Sequence, residues 1–239
     1  MSLYDFGVSD EGCLYYVMEL LDGLDAQTLV EHGGPIPADR TIHLLRQVCH
    51  SLSEAESYGL VHRDIKPANI FLCKYGEEYD FVKILDFGIV RGPREGTEAD
   101  LTITSDQAVQ GTPGFMAPEQ ALGRPLDGRA DIYSTGCVAY WLLTGELVFT
   151  GITPMELMVA HAHTPPVPPS ARTDRKIPKE LEVVVMSCLA KDPAARPQSA
   201  RELALRLGRV EVADAWNQDQ ARKWWAKYEA ARREPREGR

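Results

Sequence analysis

Mainly apolar residues occupy positions 3–8 and again 14–20, and the turn-forming run Ser9-Asp10-Glu11-Gly12 lies between them, a pattern that predicts a short β-hairpin. Asp22-Gly23 breaks the second run, and Gly33-Gly34-Pro35 marks a loop. Over residues 37–58 the apolar positions Ile42, Leu45, Val48, Cys49, Leu52 and Ala55 recur at helical spacing, which predicts a long amphipathic helix ending at Gly59. Two strand-like runs follow, at 69–73 and 81–85. Residues 91–110 are polar and without periodicity, as in a mobile loop. Residues 131–144 are nearly all apolar, so the helix expected there is central and buried. Further helices are expected over 155–163, 179–191 and 199–207. The proline-rich stretch 164–169 reads as an extended connector, or as a docking segment for a proline-binding domain.

Composition adds exclusions. With 239 residues, 44% of them hydrophobic, the chain can bury a substantial core as one or two domains. A net charge of -9 argues against general nucleic-acid binding, which calls for a basic surface. The five cysteines (Cys13, Cys49, Cys73, Cys137, Cys188) are scattered without a C-x-x-C pair, as expected of reduced thiols in the cytoplasm, and no zinc spacing is present. No basic region followed by an apolar stretch opens the chain, and its most apolar run, 137–143, is far short of a bilayer span, so neither a secretory signal nor a membrane segment is expected.

The candidate chemistry lies in three motifs in fixed order. His62-Arg63-Asp64-Ile65-Lys66-Pro67-Ala68-Asn69 sets an aspartate, a lysine two places on and an asparagine five places on. Ile84-Leu85-Asp86-Phe87-Gly88 places a second acid at a strand end beside a glycine turn. Gly111-Thr112-Pro113-Gly114-Phe115-Met116-Ala117-Pro118-Glu119 closes the polar stretch. Each alone is weak: the first could be a capping loop, and Asp86 a turn-capping acid. Together and in this order the chain resembles a protein kinase of the serine/threonine type found in bacteria as well as eukaryotes. The resemblance covers residues 3–207.

That resemblance implies an α+β, protein-kinase-like fold: a mainly helical C-terminal lobe with a residual N-terminal β-hairpin. Residues 1–21 would be the last hairpin and hinge of the small lobe, 22–207 the large lobe, and 208–239 a helical tail. It implies ATP and Mg2+ as cofactors and a protein with a Ser or Thr acceptor as partner. Asp64 would take the proton of the substrate hydroxyl, Lys66 would face the transferring phosphate, and Thr112 would stand near Asp64. Asn69 and Asp86 would hold magnesium, a hard cation that prefers oxygen ligands. Met18 would be the gatekeeper, Glu19 to Leu21 the adenine-contacting backbone, and Phe71 the residue beneath the base. His62, Phe87 and Gly88 complete their motifs. Asp131 would hold the catalytic loop's backbone, although an ordinary helix cap uses the same chemistry. Glu119 would pair with Arg196. Arg63, before Asp64, marks kinases switched by loop phosphorylation, with Thr102, Thr104 and Ser105 as acceptors; a solvated Ser/Thr loop is the competing reading.

Other signals carry less. His161 and His163 are two apart, so on a helix they do not share a face, and metal binding is not expected. Trp224, Trp225 and Tyr228 fall on one helical stripe with basic neighbours, which predicts docking onto the body in preference to a membrane surface.

Against full activity stands an absence. No G-x-G-x-x-G precedes the catalytic loop, and Lys66 is the first lysine in the chain, so no upstream lysine can take the nucleotide phosphates. The expectation is a kinase sequence lacking most of its N-terminal lobe and slow in transfer. The alternative is an inactive kinase-like fragment that binds a protein. A small-molecule phosphotransferase shares the aspartate-to-asparagine spacing but usually lacks the Ala-Pro-Glu segment.

Overall fold

The computed structural model describes residues 3–9, 11–86, 112–151 and 153–233. The chain opens with strands β1 (Leu3–Val8) and β2 (Leu14–Met18), paired antiparallel as a two-stranded sheet. Strand β3 (Gly23–Asp25) leads into helix α1 (Ala26–Gly33), and the long helix α2 (Ala38–Ser57) follows. Strands β4 (Ile70–Tyr75) and β5 (Glu78–Ile84) join β3 in a three-stranded antiparallel sheet of order β3-β4-β5. The remainder is helical: α3 (Pro118–Ala121), α4 (Gly128–Thr144), α5 (Pro154–His163), α6 (Lys179–Cys188), α7 (Ala200–Gly208) and α8 (Gln218–Arg233).

Local chemistry sets the ends of these elements. Asp25 caps α1 by accepting the Thr28 N–H at 2.7 Å, and Asp127 caps α4 through the Arg129 N–H. Thr153 and Glu156 form a reciprocal capping box at the start of α5. Gly145 ends α4 in the left-handed region at φ 74°. The expected helix over 179–191 stops at Cys188. The carbonyls of Ala190 and Lys191 accept from the Arg196 side chain instead of from helical N–H groups, and Pro193 has no N–H to offer.

Helix α4 lies at the centre, as its apolar sequence predicts, and is buried on nearly every side. Its buried residues join those of α2, α6 and α7 in one core, which also takes in Leu72, Val82 and Ile84 of the sheet. Two elements escape the sequence reading. Strand β3 holds Gly23 against β4 so closely that a Cβ there would lie 2.0 Å from the Leu72 carbonyl oxygen. Helix α1 fills the stretch read only as leading to a loop. The 164–169 segment is without helix or strand until the short 3-10 turn Pro169–Ala171. In contrast to the core, the β1–β2 hairpin exposes Tyr4, Phe6 and Val8. No helix among the described residues is long and apolar enough to cross a membrane.

Candidate active site

The loop between α2 and β4 is held from below by α4. One carboxylate oxygen of buried Asp131 accepts the His62 N–H at 2.7 Å, and the other accepts the Arg63 N–H at 2.8 Å. Arg63 sits at φ 69°, a left-handed conformation that an unbranched side chain adopts only where its surroundings impose it, and here the two anchored amides do so. Burial pushes the Asp131 carboxyl up to about 6, while the two N–H groups pull it down by favouring the charged form.

His62 locks the loop from its other face. Nδ1 accepts the Asp64 N–H at 3.3 Å, which leaves Nε2 to donate to the Leu85 carbonyl at 2.9 Å. Burial lowers the His62 pKa, so the neutral ring that these roles require is the favoured form.

On this frame the candidate reactive groups converge. Lys66 Nζ lies 2.6 Å from Asp64 Oδ2. Asn69 donates through Nδ2 to the Asp64 carbonyl at 2.8 Å and, less closely, to its Oδ2 at 3.3 Å. The Asn69 carbonyl in turn accepts the Leu85 N–H at 2.8 Å, which sets Asp86 one residue beyond a group bonded to Asn69. Asp86 is exposed and sits at φ 55°, turning the chain sharply at the end of β5.

The donors available for a cation are therefore the Asn69 amide oxygen, left over when its nitrogen is used by Asp64, and the Asp86 carboxylate. Among the described residues no group of three His, Cys, Asp or Glu side chains could hold a metal ion. A cation here would complete its shell with phosphate oxygens and water, which is how magnesium, reluctant to lose water, is generally held.

The nucleotide-facing expectations lie nearby. Phe71 is half-buried on β4, with Asp25 of β3 and Lys83 of β5 as its cross-strand neighbours. Glu19, just past β2, pairs with Lys83 at 2.6 Å. Met18 and Leu21 flank it, both half-buried, and the intervening Leu20 is fully exposed.

On the other side, Glu119 and Arg196 form a two-pronged pair at 2.7 and 2.8 Å. Arg196 also donates to the carbonyls of Ala190, Arg129 and Lys191, which uses all five of its N–H groups. Thr112 opens the turn at Pro113–Phe115. Phe87, Gly88, Thr102, Thr104 and Ser105 lie outside the described residues. The two histidines on α5 diverge: His161 is buried beside Tyr133 and Phe149, and His163 is exposed.

Two contacts carried no sequence signal. Gln120 donates to the Arg63 carbonyl at 2.9 Å, joining α3 to the loop that carries Asp64, and Lys83 reaches Glu19. Both partners are more than 50 residues apart in the chain.

The family model described as protein kinase domain matches residues 2–205. Serine/threonine-protein kinase PknB of Mycolicibacterium smegmatis is 39% identical over 218 residues, covering 90% of this chain and 34% of that protein. Serine/threonine-protein kinase pkn3 of Myxococcus xanthus is 36% identical over 212 residues, 88% of this chain and 39% of that protein. Among solved structures, the PknI kinase domain of Mycobacterium tuberculosis superposes with a TM-score of 0.60 at 26% identity, covering 86% of this chain and 69% of that one. The chain thus spans about a third of the length of the curated relatives it matches.

Proposed function

Because this chain belongs to the protein kinase family, in its bacterial serine/threonine branch, we propose that it is the catalytic large lobe of an enzyme that moves the γ-phosphoryl group of ATP to a Ser or Thr hydroxyl of a protein. In this reading residues 1–21 contribute a hairpin and hinge, 22–207 the lobe, and 208–239 a helical tail.

The observation that carries it is the convergence of Asp64, Lys66 and Asn69 on a loop fixed by Asp131, with Asp86 at the adjoining strand end. Phosphoryl transfer needs in-line positioning and charge neutralisation more than covalent help. Asp64 accepts the proton as the substrate oxygen bonds to phosphorus and ADP leaves with the bridging oxygen. Lys66, paired here with Asp64, would exchange that partner for the transferring phosphate. Asn69 and Asp86 would hold Mg2+, which supplies neutralisation of phosphate charge when bound. Met18, Glu19, Leu21 and Phe71 would frame the adenine, and Thr112 would help to position the acceptor.

Incubation with γ-labelled ATP, magnesium and a general acceptor protein tests this reading. Label transfer lowered about 10²–10⁴-fold by Asp64→Asn, with the fold unchanged, is the expected result. Equal transfer by parent and variant would refute it.

A further inference from the structure

The kinase-domain match ends at residue 205, yet the core continues: Ala221 and Trp225 of α8 are buried. The helix is held on the β4–β5 hairpin by polar contacts that converge on one side chain. Asp80, fully buried and at φ 54°, receives four N–H groups on its two oxygens. Arg40 Nε and Trp216 Nε1 donate to Oδ2 at 2.8 and 2.9 Å, and Arg40 Nη2 and Trp225 Nε1 donate to Oδ1, both at 2.8 Å. The Arg40 guanidinium lies over the rings of Trp216 and Trp224, 4.8 and 3.9 Å from their centres.

The contacts extend along the hairpin. The Gln218 side chain accepts from the Tyr79 N–H and donates to its carbonyl, at 2.8 and 3.2 Å, standing in for a neighbouring strand at the sheet edge. Glu229 forms an ion pair with Lys74 on β4. Lys74 donates its backbone N–H to the Asp22 carbonyl, in the segment that follows Glu19 and Leu21. The same hairpin carries Phe71 and runs into Asp86.

Covering an apolar face would need only apolar contacts. A buried carboxylate bonded by four donors from α2, from α8 and from the segment just before α8 fixes one position and penalises all others, since each donor pulled away leaves buried charge unpaired. We propose that α8 is a built-in brace of the nucleotide site, holding β4–β5, and with it Phe71 and Asp86, through Asp80 as a positioning residue. The nucleotide part of this proposal rests on the kinase reading above.

The test uses the full chain in two variants. One combines Gln218→Ala with Glu229→Ala, side chains that are not fully buried. The other is Trp225→Phe, which keeps a ring and removes the donor to Asp80. Backbone hydrogen exchange and ATP–magnesium affinity are measured in both. The expected result is exchange about tenfold faster in α8 and in β4–β5, unchanged exchange in α4, and affinity weaker by about three- to tenfold. Faster exchange in α8 with β4–β5 and affinity unchanged would overturn the brace. So would unchanged exchange in α8, because these contacts would then not be what holds it. If the parent binds no nucleotide, the kinase reading fails, and the exchange of β4–β5 alone decides whether α8 braces the hairpin.

Discussion

Arg196 meets both carboxylate oxygens of Glu119, at 2.7 and 2.8 Å, with both side chains buried. The pair fastens the start of α3 to the turn that follows α6.

Arg196→Met leaves the Glu119 carboxylate buried without its partner and strands three carbonyls, so a loss of about 3–5 kcal/mol of stability is expected. Urea unfolding of the variant checks this. A loss below about 1 kcal/mol would show that the site relaxes to admit water.

Asp131→Asn replaces one of two acceptors with an NH2 group facing a backbone N–H. With one buried donor unsatisfied, the expected cost is about 1–3 kcal/mol. Faster hydrogen exchange should be confined first to residues 62–69, the loop whose amides Asp131 holds, and exchange mass spectrometry reads that directly.

Two buried groups act in opposite senses as pH falls. The His161 pKa is lowered to about 4 by burial first and by Lys191 second, so its contribution to stability is present above 6.5 and is lost as pH drops from there toward 4. The Asp131 pKa is raised to about 6, so its contribution is present below the ordinary carboxylate value and is lost as pH rises through about 6. His161→Asn should therefore remove on the order of 2 kcal/mol of the acid-induced loss between pH 7 and pH 5. Unfolding free energies of parent and variant at the two pH values check the sign. Activity should still fall below about pH 6, where protonated Asp131 holds the His62 and Arg63 amides less firmly.

The Glu19–Lys83 pair ties the segment just past β2 to the strand residue opposite Phe71. Lys83→Met should weaken ATP–magnesium affinity by about three- to fivefold and, because the pair is only 11% and 19% exposed, also lower stability by about 1–3 kcal/mol. Equal affinity in the variant would show that this pair does not hold the nucleotide-facing segment in place.

Much of this architecture was legible in the sequence, for physical reasons. The periodicity of Ile42, Leu45, Val48 and Leu52 requires one buried helical face, and the apolar run at 131–144 requires burial all round; both helices are present. The Glu119–Arg196 pair and the Asp131 anchor followed from the kinase resemblance, and the structure shows both contacts. Strand β3 was hidden because Gly23 was read as a breaker, whereas its missing Cβ is what lets β4 approach. Helix α1 has only eight residues, too few for its periodicity to stand out, although Asp25 and Gly34 at its ends were usable cues. The stripe of Trp224, Trp225 and Tyr228 pointed to docking of the tail, and α8 does dock. Its partner did not show: Arg40, Asp80, Trp216 and Trp225 meet only in three dimensions, and a lone aspartate near the start of a strand carries no trace of four donors.

The measurement that bears most directly on the central claim is calorimetric titration of the chain with ATP and magnesium, with Asp86→Asn alongside. Saturable binding in the parent that needs magnesium and is lost or weakened at least about tenfold in the variant is the predicted result. No binding at millimolar ATP by folded protein, or binding indifferent to Asp86 and magnesium, would contradict the assignment of Asn69 and Asp86 as the metal-holding pair of a kinase site.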